Sequence, residues 1–190
     1  MTEHAVVLLI VLAGVCVVLL GAIIFLAGWS RQKRAKRLRA RFGAEYDRMV
    51  AEYGERRARK LLAEREKRVL QIAFRPLSVE SREHFMQAWR DVQTQFVDTP
   101  GKAVTEADKL LEQLMSQRGY PVGDFEQQAG DLSVHHPRVV ESYRAAHAIT
   151  DSARHGNATT EDLREAIIKY RVLYEELLEY PVSYSSEVNQ

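Results

Sequence analysis

The sequence predicts an all-α protein: one N-terminal transmembrane helix, a long basic juxtamembrane helix and a compact bundle of about four helices. Three observations carry that prediction. Residues 5–29 hold no charged side chain. Beyond them, apolar residues recur three and four apart, the spacing of a helix buried along one face. No segment alternates apolar and polar residues as a half-buried strand does.

Residues 5–27 are all apolar or Gly, and Gly28 and Trp29 extend the run. As a helix this stretch reaches roughly 35 Å at 1.5 Å per residue, against a bilayer core of about 30 Å. A helix is the one single-segment structure that satisfies its own backbone in lipid. The leading residues MTEH lack Lys and Arg, and no small-x-small cleavage site follows, so an uncleaved span is expected rather than a signal peptide. Arg31, Lys33, Arg34, Lys36, Arg37, Arg39 and Arg41 follow immediately. Positive charge stays inside, which puts residues 1–4 outside and the C-terminal domain in the cytoplasm of a cell (inner) membrane. Those cations also suit anionic headgroups, and Trp29 suits an interfacial anchor. Gly14, Gly21 and Gly28 recur every seven residues and stay near one helix face, a possible packing seam for a homo-oligomer.

Residues 30–75 read as a basic amphipathic stem. Ala35, Leu38, Phe42, Tyr46, Met49 and Tyr53 form one stripe, which Ala58, Leu62, Val69 and Ile72 continue with Arg65 interrupting. Gly43 and Gly54 weaken the helix by about 1 kcal/mol each relative to Ala, so bends are expected there. An unbroken stem reaches roughly 60 Å. Lying on lipid and folding back onto the head are the other two geometries the charges permit. Residues 31–68 carry 15 Lys/Arg against 6 Asp/Glu, a net of +9. Residues 76–190 carry 11 against 19, a net of −8. A basic stem thus leads to an acidic head.

The head spans residues 76–181, and a polar tail follows at 182–190. Ser78 caps a helix whose apolar face is Phe85, Trp89, Val92 and Phe96. Thr99-Pro100 opens the next, and Gly119 closes it. A short helix is expected from about Asp124 to Gly130. Another runs from Pro137 to the Gly156 stop, with Val140, Tyr143, Ala146, Ile149 and Ala153 at core spacing. Thr160 is the expected cap of the last helix, which Pro181 ends.

Arg118-Gly119-Tyr120-Pro121-Val122 with Asp124-Phe125-Glu126, and Ser133-Val134-x-His136-Pro137 followed by Tyr143-Arg144, are the most distinctive segments of residues 72–178. On them this stretch resembles an uncharacterised bacterial family of membrane-anchored helical proteins. The resemblance implies a shared head fold and brings no activity with it.

Chemistry-bearing residues are few. His147, Asp151 and His155 share one helix face at i, i+4, i+8, a spacing that metal ligands use. His155 also sits where a histidine complements a helix C-terminus. His135-His136-Pro137 reads as a helix start or, less simply, as a base or ligand site. No nucleophile or phosphate loop accompanies either group. The sole cysteine, Cys16, lies within the apolar run. The expectation is therefore no enzymatic activity, cofactor or metal, with the two histidine regions as the alternative. The expected partners are the lipid bilayer and a protein met by the head. The basic run lacks a base-reading module, which argues against nucleic acid.

Overall fold

The computed structural model describes residues 21–22, 26, 28–30, 32–33, 35–121 and 123–179. Every regular element among them is helical. Among the described residues no helix is long and apolar enough to cross a membrane. The expected span at residues 5–29 lies almost wholly outside them, as do Gly14 and the tail after residue 181. Two compact units divide between Arg41 and Phe42. In the first, Lys33 Nζ lies 4.0 Å over the exposed Trp29 ring, a cation–π contact.

The second unit begins at Phe42, well before the expected start of the head at residue 76. The stem bends where its glycines stand. Gly43 (φ 52°) precedes α1, Ala44–Tyr53, and Gly54 (φ 76°) separates α1 from α2, Glu55–Val69. Both glycines sit in the left-handed region that side chains disfavour. The expected long helix is thus a helical hairpin. Phe42, Tyr46, Met49, Ala58, Leu62 and Val69 are buried, while Tyr53 is exposed. Folding back, one of three geometries the charges permit, is the one adopted by residues 42–69.

Four long helices follow the expected periodicity. They are α3 (Val79–Asp98), α4 (Pro100–Gln117), α6 (Val140–Arg154) and α7 (Thr160–Glu179). α7 packs against α6 and α4, and α4 packs against α3. Trp89, Leu111, Leu114, Tyr143, Tyr170, Leu173 and Leu177 lie in one core between them. Burying each such side chain contributes about 1.5–3 kcal/mol. α5 (Phe125–His135) covers α2 and α6.

Helix ends show where local chemistry decides and where it does not. Ser78 Oγ accepts from the Ser81 N–H at 3.1 Å, and Asp124 Oδ1 accepts from the Gln127 N–H at 3.0 Å. Pro100 stands at the first turn of α4, but Thr99 Oγ1 donates back to the Gln95 carbonyl at 3.4 Å instead of capping. Thr159, not Thr160, caps α7. Its Oγ1 accepts from the Asp162 N–H at 3.2 Å, and Asp162 Oδ2 accepts from the Thr159 N–H at 2.8 Å. That reciprocal pair is a capping box moved one residue back. α5 also passes Gly130 and ends at His135 rather than stopping at the glycine.

Arg118 and Gly119 tie the connector before α3 to the head. Arg118 Nε and Nη2 donate to the Leu177 carbonyl at 2.9 and 2.6 Å, capping the end of α7 with a cation. The Arg75 N–H donates to the Arg118 carbonyl at 3.0 Å. A Cβ on Gly119 (φ 95°) would stand 2.7 Å from the Ala73 carbonyl oxygen, so only glycine lets the connector cross there.

Candidate functional site

The buried charges come first, because they separate residues that hold the fold from residues that face outward. Asp108 on α4 is buried among three elements' side chains. Its Oδ1 accepts from Tyr170 Oη of α7 at 2.8 Å and lies 3.3 Å from His147 Nδ1 of α6. Its Oδ2 accepts from Arg154 Nη2 at 2.9 Å. Burial opposes the charge on Asp108, but the hydrogen bonds from His147 and Tyr170 and the Arg154 charge outweigh it. The carboxyl is held below its ordinary range. Burial foremost, then Asp108, pushes Tyr170 up. His147 stacks on Phe125 with centroids 3.7 Å apart.

Glu45 on α1 is the second buried carboxylate. Arg65 Nη1 of α2 donates to it at 2.9 Å, Arg48 Nε at 3.0 Å and Arg144 Nη2 of α6 at 3.3 Å. Burial again opposes the charge, but Arg48, Arg144 and Arg65 prevail and lower its pKa. Arg144 also binds Glu126 at 2.7 Å, and Arg68 Nε binds the buried Asp131 at 3.1 Å. These bonds clamp the hairpin to α5 and α6. Arg65, which interrupts the apolar stripe, is the side chain that crosses to the head. It also reaches Ser133 Oγ at 3.3 Å and lies against Gly130, where a Cβ would meet its Cζ at 2.8 Å. Gly130 inside α5 is therefore clearance for an arginine.

The histidines singled out by spacing are spread apart. His147 turns to Asp108, whereas His155 Nδ1 pairs with the Asp151 carbonyl at 2.7 Å near the end of α6. Among the described residues no group of three or more His, Cys, Asp or Glu is placed to hold a metal. His135 meets Phe74 edge-on at 5.0 Å. His136 is buried, with Nδ1 2.6 Å from Glu176 Oε1 on α7. Burial lowers the His136 pKa below 6.5, and Glu176 only partly offsets it. The folded state thus resists a proton that the unfolded chain accepts. This contribution is full above the unfolded value of 6.5 and declines as the pH falls from there toward the folded value. Thermal melts between neutral pH and about pH 5 are expected to show this loss, and His136→Gln is expected to flatten the slope.

One outward surface differs from these internal networks. A groove of about 420 Å³ runs between α3 and α7. Trp89 and Tyr174 stack at its floor, with centroids 4.6 Å apart and planes at 21°. Tyr174 Oη donates to the Phe85 carbonyl at 2.7 Å, which fixes the ring. Met86, 44 % exposed, and Leu178 add apolar surface. Arg82, Arg90 and Arg171 form the rim. Arg171 is neutralised by Glu175 at 2.6 Å. Arg90 donates to the Gln87 side-chain Oε1, and Arg82 has no carboxylate partner among the described residues. Trp, Tyr, Met and Arg are the residue types enriched where proteins bind one another. Apolar spacing marks Trp89 as a core residue, which it is, and does not mark the groove above it. Met86, between Phe85 and Trp89 on a helix, was its only signal.

Of the residues expected at the membrane, Lys33, Lys36, Arg37, Arg39 and Arg41 are described, whereas Arg31 and Arg34 are not. A Cβ on Gly21 or Gly28 would meet no atom within 4 Å. Comparison with protein-family models, curated proteins and solved structures returns no match.

Proposed function

We propose that the chain is a single-pass membrane protein presenting a cytoplasmic helical interaction domain. The uncharged residues 5–29 cross the bilayer with the N-terminus outside, and the basic run at 31–41 holds the following chain inside. Only residues 30–41 separate Trp29 from the compact unit. That segment reaches about 18 Å as a helix and about 40 Å fully extended.

The observation that carries the interaction role is the groove between α3 and α7. Its exposed surface is Met86 with Arg82 and Arg90, over a floor of the buried Trp89–Tyr174 pair, while Asp108, Glu45 and His136 are all engaged inside the fold. Its two arginines without a carboxylate partner stand on a domain, residues 42–190, whose net charge is −5. That local inversion suits a partner segment with a bulky apolar side chain flanked by carboxylates. The test is photo-crosslinking in cells from benzoylphenylalanine at Met86 of the full chain. The expected product joins Met86 to an acidic, apolar segment of another protein and is lost in Arg82→Glu. A product with a second copy of the chain, or none, rules the reading out. Topology is checked by Ser185→Cys in a Cys16→Ser background, which an impermeant reagent is expected to leave unlabelled in intact cells.

A further inference from the structure

The face of α2 that points away from the head has its own pattern. The inward stripe is the buried Ala58, Leu62 and Val69 with the partly buried Arg65, in steps of four, three and four. The same steps, begun two residues earlier, run through Arg56, Lys60, Ala63 and Lys67 and arrive at Leu70. Two residues are about 200° of helix, so this second stripe is the opposite face. All five of its residues are exposed, with Lys60 at 78 % and Leu70 at 51 %. It contains no acidic residue. Glu55 and Glu64 lie beside it, paired with Arg59 at 3.3 Å and, loosely, with Lys60 at 3.8 Å. Arg56 and Lys67 have no carboxylate partner among the described residues. At the α2 N-terminus, Arg57 lies 5.2 Å over the exposed Tyr53 ring.

We infer that this outer face of α2, Arg56, Lys60 and Lys67 with Leu70, docks on an anionic bilayer surface. The inference rests on the membrane reading above, and it assigns lipid contact to a helix of the domain itself. A helix whose apolar face is packed in the protein and whose outer face carries cations offers a basic surface to anionic headgroups. The stripe is about 21 Å long and straight, so its cations meet a plane together. Leu70 gives an apolar contact that a phosphate backbone in water does not use, and the membrane reading puts anionic headgroups on the same side of the bilayer as this helix. Because α2 is clamped to α5 through Arg65–Ser133 and Arg68–Asp131, docking it fixes the orientation of the whole domain.

The test uses the full chain with Cys16→Ser and Ala63→Cys, labelled with an environment-sensitive fluorophore. The chain is placed in nanodiscs of phosphatidylcholine alone or mixed with phosphatidylglycerol. The label is expected to shift to shorter wavelength, and to be quenched by lipid-borne spin label, only in the anionic discs. Neutralising Arg56, Lys60 and Lys67 together to Gln is expected to lower the ratio of docked to free domain on the order of a hundredfold. Its thermal midpoint stays unchanged, because these residues face outward. Equal signals in neutral and anionic discs, or a triple variant that still docks, overturn the inference. So does RNA or duplex DNA displacing the label from anionic discs. Extraction of the chain from membranes at alkaline pH would defeat the span reading alone. The α2 face then stands or falls on flotation of the full chain with preformed anionic vesicles and loss of flotation in the triple variant.

Discussion

Asp108→Ala is expected to lower the unfolding free energy of the domain by about 3 kcal/mol, measured by urea denaturation. The carboxylate joins α4, α6 and α7 through Tyr170, His147 and Arg154. Its removal leaves those donors facing a cavity. Tyr170 keeps its 2.9 Å bond with Thr150, and Arg154 is 41 % exposed and regains water. Both facts hold the loss at the low end of what a broken buried pair costs. Asp108→Asn keeps the shape but loses the charge and sets an amide donor against Arg154 or against Tyr170 and His147, so it is expected to recover only a minor part of the loss. A loss below about 0.5 kcal/mol for the alanine variant would mean the network adds nothing to stability. The pH dependence has a definite sign. The folded pKa is lowered, so the stabilisation is complete above the ordinary carboxylate value of 3.8 and is lost as pH falls through the folded value.

Glu45→Ala is expected to act more locally. Arg65 and Arg144 are only 13 % and 14 % exposed, and both lose their shared carboxylate. Glu126 still holds Arg144 at 2.7 Å, whereas Arg65 is left with Ser133 Oγ and the Met49 sulfur and no carboxylate. Stranding that one nearly buried cation costs about 3 kcal/mol. The hairpin side of the clamp is therefore the weaker one. Amide exchange in α1 and α2 is expected to accelerate on the order of a hundredfold, with little change in α4 and α7. Uniform acceleration across all helices would show that the hairpin and the bundle unfold as one unit. Arg65→Met in the Glu45→Ala background removes one stranded charge and is expected to restore part of the protection.

The legible part of this chain is its local part. The all-α class, Ser78, Pro100 and Asp124 at helix starts, and the faces of α3, α4, α6 and α7 follow from spacing and from backbone groups that need a nearby partner. The bends at Gly43 and Gly54 follow equally, from the freedom those residues have. Misplaced ends were also local, but involved competition between neighbours. Thr159 and Thr160 both offer a hydroxyl, and Asp162 selects the first by accepting from its N–H. Gly130 looked like a helix stop because its other use, clearance for Arg65, lies 65 positions away along the chain.

The networks that hold the domain together were not legible. Glu45 reaches Arg144 across 99 positions, and Asp108 reaches Tyr170 across 62. No periodicity marks such a pair, because a charged residue reads as solvated until a second element buries it. His147 was singled out for its spacing to Asp151 and His155, yet its side chain turns to Asp108 on another helix. By itself the sequence determined which stretches are helical and which face of each is apolar, since both depend on hydrogen bonds and side chains a few residues apart. Only the tertiary structure decided that the basic stem folds at Phe42 into the domain, and that Arg65 belongs inside. Those outcomes depend on which distant charges share a buried space, and that is set by packing.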